Sequence, residues 1–444
     1  MHRILSAIVL VLCAGSLAWA DPVSFKKDVA TVLLNNCLAC HGPKKAEGGY
    51  RVDTFERAMK AGDSTAAGFT AKNVDASEAF RRLISTDVKE RMPKDGDPLP
   101  AEQIASIKRW IEEGANYDGG DPKAALSSII PAPEHPNAPE AYPRPVPVTA
   151  VAFSPDGQQL YVGGYHEISV WNPADGQLIR RIKNIGQRVF AINFSPDGKL
   201  IAVACGAPGR FGEVRILKAE DGSIVNVINM TSDVVFDAVF SPQGDRLATA
   251  AADGTIRLWE VASWKEQLTI TSHSDWVMAV AWSSDGAKLA SGSRDKTAKV
   301  FDAKTGDLVI TFPQHNAAVK GVAFHPSNAE VFSSGSDNQI RRWNLTEAKQ
   351  NGGHGFGDEV YKLPTVGEFF FAAVADKSVR QYKLQDQSQV RQYNGLTDAA
   401  LCVAYNAAAN RLAAGSFDGR VIVWNGADGK EIANFIAAPG YKAP

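Results

Sequence analysis

The stretch "VFDAVFSPQGDRLATAAADGTIRLW", residues 235–259, decides the fold of most of this chain. Apolar residues alternate along it, Pro242-Gln243-Gly244 and Asp253-Gly254 mark two turns, and Trp259 closes it. Period-two alternation broken by turn residues means short antiparallel strands. The same unit precedes it as "VTAVAFSPDGQQLYVGGYHEISVW" and "VFAINFSPDGKLIAVACG", and follows it as "VMAVAWSSDGAKLASGSRDKTAKVF" and "VKGVAFHPSNAEVFSSGSDNQIRRW". A worn copy, "VYKLPTVGEFFFAAVADKSVRQY", comes next, and "ALCVAYNAAANRLAAGSFDGRVIVW" completes the series. The closing positions Trp171, Leu217, Trp259, Phe301, Trp343, Tyr382 and Trp424 fall 39 to 46 residues apart. A repeat of that length has room for four strands, and radial repetition of such sheets gives a β-propeller. Seven copies over residues 148–438 predict seven blades, with a short tail at 439–444. "KEIANFIAA" already supplies a fourth strand after Trp424. The ring is therefore expected to close by packing of blade 7 on blade 1, without strand exchange.

This half resembles the WD-repeat family. Asp253, Asp295, Asp337, Asp376 and Asp418 occupy the second turn of their units, six residues before the closing aromatic. His273, His315 and His354 stand just before a first strand. The resemblance implies that these Asp and His residues bond within a blade, so the histidines are read as structural and not as metal ligands. Units 1 and 2 carry Tyr165 and Phe211 where aspartate is expected, which predicts weaker locking there. Unit 2 also has an insertion, "CGAPGRFGEV", and Gly206 to Gly212 is either a neutral loop or a contact site on the rim.

The other end of the chain has a different character. Residues 1–20 begin with a basic "MHR", continue as an apolar run and end in Ala18-Trp19-Ala20, a small-x-small signature. They read as a secretory signal peptide cut before Asp21, in preference to a membrane anchor or a lipoprotein signal at Cys13. The mature chain is expected in the periplasm or an equivalent extracytoplasmic compartment, with no stable membrane span. Net charge is −2 in 444 residues, which gives no pointer to nucleic acid. Cys205 and Cys402 lie in apolar runs and read as buried free thiols.

Residues 35–45, "NNCLACHGPKK", hold the remaining pair, Cys37 and Cys40, with His41 directly after. An exported C-x-x-C-H reads as covalent haem c attachment: two thiols add to the two vinyl groups, and the imidazole reaches the iron. A redox disulfide is the competing reading. A zinc site lacks its second ligand pair, since the next cysteine is Cys205 and the next histidine His135. For the second axial position the candidates are Met92, in the Pro- and Gly-rich loop "KERMPKDGDPLP", Met59 on a short helix, and His135. Met92 is preferred, because a loop methionine before proline is poor core material. Helices are expected at "SFKKDVATVLLNNC" and "LPAEQIASIKRWIEEGA", where Ile104, Ile107 and Ile111 share a face. Together these make a small all-α class I cytochrome c domain over residues 21–118.

Residues 24–118 resemble the planctomycete-type cytochrome c domain through "FKKDVATVLLNNCLACHGP", "GGYRVDT" and "RMPKDGDPLPAEQIASIKRWIEEGA". The resemblance implies Cys37, Cys40, His41 and Met92 as the residues that hold one haem. Tyr50 stands where that family usually has leucine, and "AAGFTAKNVDASEAF" is a loose match. Residues 119–147 are rich in proline and read as an extended linker. The expected function is electron transfer by a monohaem cytochrome, with the propeller as a docking platform for a protein redox partner. A cytochrome–propeller oxidoreductase with a second active site in the propeller, and a haem-based ligand or redox sensor, are the alternatives. Electron transfer is preferred over an enzyme, because no catalytic constellation stands outside the repeat pattern.

Overall fold

A computed structural model describes residues 21–38, 40–42, 45–94, 96–131 and 134–442. The signal peptide expected over residues 1–20 lies outside them. The chain divides into two compact units at 131/132.

In the N-terminal unit a short π-helical turn, Phe25–Val29, runs into helix α1, Ala30–Asn36. Ser24 caps the start by accepting a hydrogen bond from the Lys27 N–H, as an N-cap serine should. Helices α2 (Phe55–Ala58), α3 (Glu78–Ile84), α4 (Ala101–Glu112) and α5 (Leu126–Ile129) follow. The apolar stripe expected on α4 is present, and Ile107, Trp110 and Ile111 are fully buried. Trp110 meets Phe25 at 5.3 Å and Phe69 at 5.4 Å, and its Nε1–H donates to the Asn116 carbonyl at 2.8 Å. That bond satisfies the one polar atom such a ring brings into a core.

In the C-terminal unit the described residues form seven antiparallel sheets, one per sequence unit. They span residues 151–183, 188–231, 235–270, 277–312, 319–355, 360–393 and 400–436, and together make the seven-bladed β-propeller. The sixth sheet gains a two-residue strand, Thr365–Val366, where the worn copy reads "PTVG". Each blade uses its own strands, as expected from the last repeat. Val148 at the entry to blade 1 donates its N–H to Ser416 of blade 7 at 3.1 Å, and Val151, Phe153 and Trp171 share a core with Ala413, Val421 and Val423.

The proline-rich stretch between the halves does not stand free. Leu126 N–H donates to Asp53 O at 2.9 Å and Glu56 N–H to Pro122 O at 2.9 Å, so residues 122–126 belong with the N-terminal unit. Residues 134–147 lie along blades 1 and 2. Arg181 donates to the carbonyls of Pro139 and Glu140, and Tyr142 donates to the buried Glu167 at 2.8 Å. Proline removes local hydrogen bonding and leaves a chain free to take its partners from the surface it crosses.

Candidate functional site

The Cys37–His41 segment is the frayed end of α1. Cys37 and Leu38 N–H both donate to Leu33 O, and Cys40 and His41 N–H then fold back onto Cys37 O at 3.2 and 2.9 Å. Gly42 allows the chain to leave this turn: a Cβ there would fall 2.4 Å from the Leu38 carbonyl oxygen. The exit is fixed by Glu47 N–H to Cys40 O and Val52 N–H to His41 O. One turn thus presents both thiols and the imidazole. Neither thiol is in a disulfide.

His41 Nδ1 lies 3.3 Å from the Tyr50 carbonyl. A carbonyl can only accept, so Nδ1 carries the proton and Nε2 keeps its lone pair for a metal. The Tyr50 ring sits 5.6 Å from the imidazole, and its hydroxyl donates to Ala58 O at 2.7 Å. Tyrosine replaces leucine here without leaving an unsatisfied hydroxyl. Burial pushes the Cys37 thiol up to about 11, with the neighbouring Cys40 adding to it. A thiol–disulfide catalyst needs the opposite shift.

Met92 and Cys37 are both packed, partly buried, against the same core of the N-terminal unit. Met92 N–H is held by Arg82 O at 3.0 Å, which ties the loop to α3. The Glu47 carboxyl is held down chiefly by Lys45, 2.6 Å away, with smaller contributions from His41 and Lys94. Arg91, one residue before Met92, has a buried Nε without a hydrogen-bond partner. A donor in that state suits an acidic haem propionate, and two thiols, an imidazole with a free nitrogen and a thioether in the same unit are the donor set a haem c takes. Met59 also packs against this core. His135 is engaged elsewhere: its Nε2 meets Glu213 at 2.6 Å and its ring stacks on Phe211 at 5.0 Å.

In the propeller, His273 bridges Asp295 (2.8 Å) and Ser291 (2.6 Å), and His315 bridges Asp337 (3.0 Å) and Ser333 (2.7 Å). These histidines lock blades. His354 departs from that pattern: its Nε2 is buried without a partner and its ring lies against Tyr382. Asp376, its expected partner, bonds Ser378 and Arg380. Among the described residues no group of three His, Cys, Asp or Glu side chains could hold a metal ion.

Blades 1 and 2 are not left weak. Glu213, 2% exposed, binds His135 and Arg215 Nε at 2.6 Å each, and Glu167, fully buried, takes Tyr142 and Arg181. Glutamate four residues before the closing position does here what aspartate does in other blades, with the 134–147 segment as partner. The blade 2 insertion extends its hairpin instead of forming an open loop, with Gly206 opposite Gly212 and Ala207 opposite Phe211.

Residues 37–96, which include Cys37, Cys40, His41 and Met92, match the family described as planctomycete cytochrome C. Residues 143–172, 222–260, 264–302, 306–344 and 387–425 match the WD domain, G-beta repeat. Residues 166–239, across the two divergent blades, match the anaphase-promoting complex subunit 4 WD40 domain. No curated protein matches the chain. No helix among the described residues is long and apolar enough to cross a membrane.

Proposed function

We propose that this chain, a planctomycete-type cytochrome c domain joined to a WD-repeat β-propeller, is an exported electron carrier with one covalently bound haem c. The observation that carries the reading is the single turn presenting Cys37, Cys40 and His41, inside the segment that matches the cytochrome family. Cys37 and Cys40 would hold the porphyrin through thioether bonds, and His41 Nε2 and Met92 Sδ would ligate its iron. Bound there, the haem supplies one-electron chemistry, and a His/Met set favours a raised potential. The chain's own residues do the rest. Tyr50 orients His41, the aromatic core around Trp110 keeps the unit rigid, and the α3–Met92 tether positions the thioether. The N-terminal unit folds as a small class I cytochrome c.

The propeller serves as the docking platform for a protein redox partner, in the periplasm or an equivalent compartment. WD-repeat propellers suit that role, being rigid scaffolds whose loops vary freely.

The test is the mass of the mature chain exported from a host that attaches haem. Wild type is expected to start at Asp21 and to carry one haem that survives denaturation. Cys37→Ala with Cys40→Ala should lose it. A wild-type chain of apoprotein mass would overturn the reading.

A further inference from the structure

A cavity of about 580 Å³ runs along the innermost strands of the propeller. One register position recurs in every blade: the residue just after the irregularity in the first strand. Ladder pairing identifies it as Ala191, Asp237, Ala279, Gly321, Lys362 and Cys402 in blades 2 to 7, with Ala150 opposite Gly163 in blade 1. All seven line the cavity. Five are alanine, glycine or cysteine, so this tier of the channel is kept open. The other two are an acid and a base.

The two charged groups are not equivalent. Asp237 is 8% exposed, and its carboxyl is fastened to the wall by the N–H groups of Ala238 (3.0 Å) and Val280 (3.3 Å) and the Asn193 amide (3.5 Å). Burial still pushes its pKa above the usual carboxylate range, against the pull of Lys362 and these donors. Lys362 is half-buried, and its side chain makes no hydrogen bond or salt bridge to any described residue. Its charge is felt by Asp237 and by Cys402, both on the same tier. Apart from these two, the lining is apolar or neutral-polar with His325, whose pKa burial lowers. The channel therefore holds an ammonium with no hydrogen-bonded or ion-paired partner among the described residues, beside a carboxyl whose oxygens the wall already occupies.

We propose that the propeller channel is a binding site for a small carboxylate. Lys362 supplies the counter-ion, and Asp237, its carboxyl already fastened to the wall, leaves that ammonium free for the ligand. The volume suits a compact metabolite-sized acid with an apolar body, and the open tier of small residues is where it lies. This site is separate from the haem reading and does not depend on it.

The experiment is calorimetric titration of the full-length holoprotein with propionate, with butylammonium as the probe of opposite charge. Saturable binding of propionate and none of butylammonium is expected. Lys362→Met should weaken propionate by at least about tenfold, the usual result of truncating one partner of a buried charge pair. Asp237→Asn, which keeps an oxygen for the wall donors and leaves Lys362 in place, should bind propionate at least as well as wild type. Lys320→Met, on the same inner ring but already paired with Glu359 at 2.9 Å, should change nothing. Should Lys362→Met fail to fold, the wild-type contrast between the two probes decides alone. No saturable propionate binding, preferential binding of butylammonium, or equal affinity in a folded Lys362→Met protein would overturn the proposal.

Discussion

His273 shows how one side chain can be both a lock and a liability. Burial lowers its pKa, with Lys299 adding to that, although Asp295 pulls the other way. Below about pH 6.5 an unfolded imidazole binds a proton that the folded His273 resists, so its contribution to stability falls as pH falls. Asp295 loses stability in the same direction but later. Burial opposes its ionisation, but Thr297 and His273 outweigh this and bring it to about 2. Its contribution is whole above the unfolded value of about 3.9 and is lost as pH falls through about 2. Thermal melts from pH 7.5 to 5 should therefore show a drop in wild type that is smaller in His273→Gln. Equal slopes would remove His273 from the account. The residue after each turn aspartate is left-handed in five blades, at Gly254, Lys296, Asn338, Lys377 and Gly419. Three of these are not glycine, and at two of them the Asp side chain helps to hold the strain by accepting from the next strand, Thr297 N–H to Asp295 at 3.0 Å and Ser378 N–H to Asp376 at 3.1 Å.

Among elements, the segment 134–147 taught the most. Its prolines and lack of periodicity read as a linker, because such features report only what a segment cannot do locally. What it does is long-range: it delivers His135 to Glu213 and Tyr142 to Glu167, both buried. Neither glutamate was legible as a lock, since each stands off the aspartate position of the repeat. Glu213→Ala takes the shared carboxylate from a fully buried Arg215 and from His135, and should cost about 3 kcal/mol or more. Chemical denaturation of the full chain measures this. A change below about 0.5 kcal/mol would mean the segment merely rests on the blades. By contrast the blades were legible throughout, because strand alternation and turn residues are local signals repeated seven times. The cysteine turn was legible for the same reason: three residues in five carry its chemistry. Of His354 only the expected bond was not legible, because Asp376, present in the worn repeat, turns to Ser378 and Arg380 instead.

For the whole molecule, the ring must close and the haem must bind. Closure rests on Gly415, where a Cβ would fall 2.2 Å from Val148 Cγ1 of blade 1 and 2.9 Å from Cys402 Sγ. Gly415→Val should destabilise the propeller by about 1–3 kcal/mol through overpacking. Gly357→Ala, with nothing within 4 Å of its Cβ, should be neutral in the same unfolding experiment. The two small-residue features, Gly415 at the seam and the open tier of the channel, emerge only once seven blades stand in a ring. No single repeat displays either. The central claim is the His41/Met92-ligated haem, and its most direct test is the absorption spectrum of the exported protein, oxidised and reduced, beside Met92→Ala. The account predicts a low-spin, six-coordinate spectrum whose methionine–iron band disappears in the variant. A high-spin wild type, or a band that survives in Met92→Ala, would contradict it.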